Sequence, residues 1–210
     1  MHEYHKIKTV FKRDMSVNDK PLIDGEYSIP EFAYLAKNKW TFTEKVDGTN
    51  IRIILQDGVV TFGGKTDNAQ IPAALVVRLN EKFLPLALKM TEMGWGHACL
   101  YGEGYGAKIQ KGGGNYRQDQ DFVLFDVMVG NYWLQREDVE DVAAKLAVDV
   151  VPIVGEGDLH DMVQMAKDGI RSTWGDFLAE GIVARPKTEL KTRDGVRIIT
   201  KIKTRDFTKL

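Results

Sequence analysis

Runs that read as strands outnumber runs at helical spacing along this chain. Residues 40–64 read as a β meander. Trp40, Phe42, Ile51, Ile53 and Leu55 supply its apolar positions, and Asp57-Gly58 turns one strand into the next. Residues 71–93 place Ala74, Leu75, Leu79, Phe83, Leu86 and Met90 at helical spacing, and Pro85 predicts a kink or break. Residues 97–102 and 121–127 read as buried strands. Residues 136–148 read as a helix, acidic at its start, with Val139, Val142, Ala143 and Leu146 on one face. A strand over 150–154, a short helix over 159–167, and strands over 182–184 and 196–203 complete the pattern. Residues 1–30 mix charge with Pro21, Gly25 and Pro30 and show no assignable period. The pattern predicts an α+β domain dominated by strands, without repeats or an interdomain linker.

Composition narrows this picture only a little. A chain of 210 residues with 43% apolar residues can bury a core of its own, and a single domain over 1–210 is expected. A formal net charge of −1 neither predicts nor excludes a nucleic-acid partner, because patches matter more than totals. From Arg185 to Leu210 there are nine Lys or Arg residues against three acids, so that segment is locally basic. Cys99 is the only cysteine, which excludes an intrachain disulfide and any multi-cysteine zinc motif. No apolar run approaches the roughly 20 residues of a membrane span. The N-terminus lacks the apolar stretch of a secretory signal, so a cytoplasmic protein is expected.

The candidate chemistry begins at Lys45-Val46-Asp47-Gly48-Thr49-Asn50, where a strand breaks into a tight turn. Asp47 and Gly48 suit such a turn, with Gly48 free to adopt backbone angles that side chains forbid. A lysine held rigidly at a strand end can be desolvated and lose its proton, as an amine nucleophile must. For this motif alone, a surface lysine in a hairpin is the competing reading. Lys201 and Lys203 sit at i and i+2 of a strand and share one face. Two cations there call for an anion such as a phosphate chain, or belong to a solvated edge strand. Glu180 stands at the mouth of the strand after it and could hold a divalent cation, or serve as a turn acid. Glu103, between Gly102 and Gly104, could accept hydrogen bonds from ribose hydroxyls or lie exposed in a glycine-rich loop. Phe125 reads as core, with stacking on a base as the alternative. Asp158, His160 and Asp161 read as a helix start in preference to a metal site.

The order of these elements carries more than any one of them. Lys-x-Asp-Gly-Thr-Asn, Gly-Glu-Gly, Phe-Asp-Val, Glu-Gly-Ile-Val and Lys-x-Lys in succession resemble the covalent nucleotidyltransferase superfamily of ATP-dependent ligases and capping guanylyltransferases. Asn50, five positions after the lysine, resembles the nick-sealing RNA ligases, and the likeness runs from about Phe42 to Phe207. It implies an ATP-grasp-like nucleotidyltransferase (ligase adenylation) domain, with antiparallel sheets flanked by helices. It also implies ATP and Mg2+ as cofactors and a lysyl-AMP intermediate. AMP would pass to a 5′-phosphate, which is then joined to a 3′-hydroxyl at nicks in an RNA or RNA/DNA duplex. Lys45 matches the nucleophile, Glu44 the residue that contacts adenine, and Val46 lies among the nucleotide-binding positions. Asn50 matches a residue that acts near the phosphates. Glu103 matches the ribose-binding acid, Phe125 the aromatic that stacks on adenine, Glu180 the acid of metal-assisted chemistry, and Lys201 and Lys203 the α-phosphate pair. Lys65, in Gly63-Gly64-Lys65-Thr66-Asp67, stands where the family usually has arginine; it keeps the charge and loses the bidentate fork. The chain ends seven residues past Lys203, so an adenylyltransferase domain without a C-terminal domain is expected. A monomer is expected, acting in the cytoplasm, of a host cell if the chain is phage-encoded. A minimal DNA ligase, a capping-type guanylyltransferase and a catalytically silent nucleic-acid-binding module are the competing readings.

Overall fold

The structure is a computed structural model, and it describes residues 3–207. The ends of the expected 1–210 domain, with Lys209 of the basic segment, lie outside the described residues. The architecture is α+β and divides into two compact units, residues 3–4 with 47–151 and residues 5–46 with 152–207. Each has its own sheet and its own apolar cluster. Among the described residues no helix is long and apolar enough to cross a membrane.

The sheet of the 5–46/152–207 unit runs Lys8–Thr9, Thr200–Lys203, Gly181–Pro186, Trp40–Lys45, Ile153–Gly157. All its pairings are antiparallel except the edge pair of Lys8–Thr9 with Thr200–Lys203. Strand Trp40–Lys45 alternates strictly: Trp40, Phe42 and Glu44 are buried, while Thr41, Thr43 and Lys45 lie on the other face. Trp40 and Phe42 join Ile182, Ala184 and Ile202 in one cluster, closed by Leu159, Met162, Val163 and Ala166 of helix Leu159–Asp168. Asp158 starts that helix: its side chain accepts from the backbone N–H groups of His160 and Asp161, and Asp161 reciprocates to the Asp158 N–H. These groups form a capping box.

The second sheet runs Asp149–Val150, Gln120–Val129, His97–Gly106, Thr49–Gln56, Val59–Gly63, with Tyr132–Trp133 added to Gln120–Val129. Ile51, Ile53 and Leu55 on one face of Thr49–Gln56 meet Leu75, Leu79 and Phe83 of helix Ala73–Phe83, and Val139, Val142 and Leu146 of helix Arg136–Leu146 extend the same core. Pro85 breaks the predicted 71–93 helix as expected, into Ala73–Phe83, a 3-10 turn Leu84–Leu86 and Ala87–Glu92. Cys99 is buried, and burial pushes its thiol up to about 12.

Several expectations need correction. The 40–64 meander is not one: Trp40–Lys45 pairs with Gly181–Pro186 and Ile153–Gly157, while Thr49–Gln56 belongs to the other sheet. Lys45 is therefore not in a hairpin; it ends a central strand just before the chain passes to the other unit. The 150–154 strand is two strands, Asp149–Val150 and Ile153–Gly157, in different sheets. Pro152 between them lacks a backbone N–H to continue a ladder. The 196–203 strand is regular only over Thr200–Lys203, because Lys191 and Arg197 first close a small loop through a single bridge. Gly102-Glu103-Gly104 lies within strand His97–Gly106 and forms no exposed loop. Residues 1–30 supply strands Lys8–Thr9, Phe11–Arg13 and Leu22–Tyr27.

One buried acid anchors the 47–151 unit. Asp121, nearly inaccessible, accepts hydrogen bonds from Arg78 (3.2 Å), Lys82 (3.1 Å) and Arg117 (2.8 Å) and from the Phe122 N–H (2.8 Å). Burial pushes its carboxyl up, but these donors outweigh burial and hold it below the usual carboxylate range. Asp121→Asn keeps the shape and removes the charge that three cations share. It should cost about 2 kcal/mol, since hydrogen bonds to charged groups are worth roughly that much and the cations are partly solvated. Urea unfolding checks this, and a variant as stable as the wild type would show the cluster to be ornamental.

Candidate functional site

Three strands set the geometry around Lys45. Gly181 pairs with Lys45 on one side and with Lys203 on the other. The two lysines thus flank a residue with no side chain. A Cβ at Gly181 would stand 2.0 Å from the Ile202 carbonyl oxygen, so this register accepts only glycine there. Glu180, immediately before it, enters between the lysines. Lys45 Nζ donates to Glu180 Oε2, and Lys203 Nζ lies 2.5 Å from Glu180 Oε1. The backbone of Glu180 is fixed as well: its carbonyl accepts from the Thr204 N–H at 2.9 Å, and the Ala179 carbonyl accepts from Thr204 Oγ1 at 2.9 Å.

Burial pushes the Glu180 carboxyl up; the Lys45 ammonium and the hydrogen bonds from Lys203 and Lys45 more than offset it and hold the carboxyl below its ordinary range. Glu180 is therefore a carboxylate at neutral pH. Lys201 sits two residues before Lys203, opposite Val183, on the same face of the strand.

Glu44 points the other way. Strand alternation buries it, and a buried carboxylate needs donors. It receives three: Ser172 Oγ at 2.6 Å, the Thr173 N–H at 2.9 Å and Thr173 Oγ1 at 3.0 Å. Its side chain thereby ties the strand that ends in Lys45 to the segment that leads into Glu180. Val46 is buried and its side chain is apolar, so what it can offer a ligand is backbone.

The other proposed residues lie on the 47–151 sheet. Asn50 and Glu103 are direct cross-strand partners. The Oδ1 atom of Asn50 is buried with no hydrogen-bond partner among the described residues. Phe125 is the extra residue of a bulge: Asp126 pairs with Tyr101 and Leu124 with Gly102. Phe122, Leu124 and Val127 join the core cluster, and Phe125 does not. Alternation from Leu124 turns the Phe125 ring away from the core, and the bulge then keeps Asp126 on that same side and returns Val127 to the core. The ring meets Tyr4 edge-on at 5.1 Å, and the Tyr4 hydroxyl donates to Asp126 at 2.7 Å. Lys65 is exposed on the loop after strand Val59–Gly63. Buried Arg52 holds that loop, donating to the Gly64 carbonyl at 2.9 Å and to Asp67 at 2.7 Å.

Gly48 is needed for a reason other than the one expected. It is absent from the positive-φ residues; instead a Cβ there would meet the Gly104 carbonyl oxygen at 2.2 Å. Ser172, Thr173 and Arg52 escaped the sequence reading. The one available signal was Glu44 itself, an acid at an inward position of an alternating strand, which demanded a polar partner without saying where.

Among the described residues no three His, Cys, Asp or Glu side chains converge to hold a metal ion. A lone carboxylate can nonetheless suit magnesium, which keeps most of its waters and needs only one or two protein carboxylates. Glu180 is the residue here that fits that donor set.

Glu180→Gln tests the ion-pair cluster. A carboxyl whose pKa is lower in the folded than in the unfolded chain stabilises the fold above its ordinary value, 4.5 for this residue. That contribution is lost as pH falls through the depressed value. The variant should melt below the wild type at neutral pH, and the gap should close on acidification through the carboxylate range. A gap that stays constant with pH would mean that the charge on Glu180 does not stabilise the fold.

A model of the RNA ligase family matches residues 38–203. No curated protein matches the chain at a significant level. Several solved structures of an RNA ligase from Naegleria gruberi are similar. The apo form of one alanine mutant shares 20% identity with a TM-score of 0.66, over 84% of this chain and 52% of that one. Another alanine mutant, with ATP and Mn, shares 18% identity with a TM-score of 0.67, over 94% of this chain and 59% of that one. A form with PPi shares 20% identity with a TM-score of 0.66, over 93% and 55%. At these identities the likeness is one of fold. The chain spans little more than half the length of these structures.

Proposed function

Because the chain belongs to the RNA ligase family, we propose that it is an ATP-dependent RNA ligase that carries AMP on Lys45, transfers it to a 5′-phosphate and joins that end to a 3′-hydroxyl at nicks in duplexes. The observation that carries this reading is the convergence of Lys45 and Lys203 on Glu180.

An ammonium cannot attack phosphorus, so the Lys45 proton must leave as the triphosphate enters. Lys45 donates to Glu180 before the triphosphate enters; Glu180 stays a carboxylate, and the Lys45 proton passes to solvent. Lys45 Nζ then forms a bond to the α-phosphorus, and the bond to the pyrophosphate oxygen breaks. The α-phosphoryl group passes through a transition state in which its oxygens are more negative. Lys203, and Lys201 beside it on the strand, answer that charge. Magnesium held at Glu180 would offset the charge of the triphosphate. Glu44 fixes the direction of the Lys45 strand through Ser172 and Thr173, and the adenine contact proposed for it falls to its backbone. In the same reading Glu103 takes the ribose hydroxyls, Phe125 stacks on adenine, and Asn50 and Lys65 act toward the phosphates. AMP next moves to the 5′-phosphate of nucleic acid, and the 3′-hydroxyl displaces it.

Incubation with ATP and magnesium should raise the intact mass by one AMP in the wild type and not in Lys45→Ala. Uptake by the variant would remove Lys45 from the nucleophile's place. Lys203→Ala and Lys201→Ala should each slow adenylation by on the order of a hundredfold or more. Near-normal rates in both would leave these lysines as solvated side chains with no part in adenylation; the strand itself is not an edge, since Lys8–Thr9 pairs along its outer side. On pre-adenylated nicks that differ only in the sugar at the 3′-hydroxyl, ribose should be sealed faster. Equal or faster sealing of the all-DNA nick would place the chain's activity with DNA joining.

A further inference from the structure

Between strands His97–Gly106 and Gln120–Val129 the chain makes a glycine-rich loop that is held in shape throughout. The Ala107 N–H donates to the carbonyls of Arg117 (3.1 Å) and Asp119 (3.2 Å), and the Gly113 N–H to that of Gln110 (3.0 Å). Gln120 Nε2 reaches the Ala107 carbonyl at 2.8 Å. Two further bonds anchor the loop to the turn that follows Lys45: Gln110 Nε2 donates to the Gly48 carbonyl at 3.1 Å, and the Asp47 N–H donates to Tyr116 Oη at 3.3 Å.

On this scaffold stand Lys108 and Lys111, both exposed, and neither forms an ion pair with any described residue. No acid occurs from Gly104 to Gln118. Lys108 is also strained: its φ of 68° lies in the left-handed region, which costs a side-chain-bearing residue about 1 kcal/mol or more. Nothing in the loop's own bonding uses the Lys108 side chain, so the strain secures no internal contact of that side chain.

We propose that the 106–118 loop is a nucleic-acid-gripping arm, in which Lys108 and Lys111 contact backbone phosphates of the strand being joined, beside the turn that follows the nucleophile. The proposal rests on the ligase reading and adds a surface to it. Exposed cations on a preorganised loop suit a polymer that lies across them, whereas a small nucleotide needs a concave pocket.

The test is a fluorescence-anisotropy titration, without ATP, of a labelled nicked duplex carrying RNA on its 3′-hydroxyl side, at several salt concentrations. Lys108→Gly keeps the left-handed backbone and removes only the charge, and Lys111→Ala removes the other. Each phosphate contact contributes about 0.9 to the slope of log affinity against log salt. The slope should fall by about 0.9 in each variant and about twice that in the double variant, while AMP uptake from ATP stays at the wild-type rate. Unchanged slopes with intact AMP uptake overturn this arm alone. Parallel loss of AMP uptake also overturns it, since the lysines would then serve ATP. A wild type that takes up no AMP removes the ligase reading, and the arm with it.

Discussion

The site turns on one shared carboxylate. Glu180 takes a hydrogen bond from Lys45 and lies against Lys203, two ammonium groups on strands that flank its own. Without it, two cations would face each other across a glycine. With it, the cluster carries a net positive charge and three groups in fixed register. The lowered carboxyl pKa expresses the same coupling from the acid's side. This arrangement is suited to an incoming polyanion. Glu180 can leave neither lysine without something negative taking its place.

Backbone constraints hold this arrangement more tightly than side-chain contacts could. Gly181 admits no Cβ, so the central strand cannot drift from its neighbour without a gap or a clash. The Thr204 bonds close the Lys203 end back onto residues 179–180. On the far face Glu44 does the same for the Lys45 strand through Ser172 and Thr173. Neighbours in sequence, Glu44 and Lys45 thus divide the work by strand alternation alone. One is buried and fully bonded to protein, and the other is turned to the face where the acid waits.

How much of this was legible follows from what sequence patterns encode. The pairing of Lys201 and Lys203 on one face needs only a period of two, and Glu180 at a strand mouth needs only the apolar run after it. The break at Pro85 and the helix over 136–146 were likewise written in local spacing. Sheet membership is not local. Trp40 and Phe42 on one side of Asp47-Gly48 and Ile51, Ile53 and Leu55 on the other make two short alternating runs whether the strands share a sheet or not, so the crossover at 46–48 looks like a hairpin turn. Gly48 was singled out for backbone freedom, while the structure requires it for the close approach of Gly104, a contact 56 positions away. The partners of Glu44 lie more than a hundred residues downstream, in a stretch whose serine and threonine carry no periodic signal.

Asp126 shows how a departure from regular structure can supply what regularity cannot. In an unbroken strand running on from Leu124, Phe125 would already face away from the core, and Asp126 would point into it. The bulge adds one residue against the Tyr101–Gly102 step. Leu124 and Val127 both stay in the core although three positions separate them, and the residues between them are released from it. Asp126 then finds the Tyr4 hydroxyl, and Phe125 presents its ring beside Tyr4. A buried acid is kept out of the apolar core without opening it, because one inserted position absorbs the change of side. The same sheet leaves Asn50 Oδ1 buried and unpaired next to Glu103. A buried acceptor left in that state costs stability unless a ligand supplies the donor.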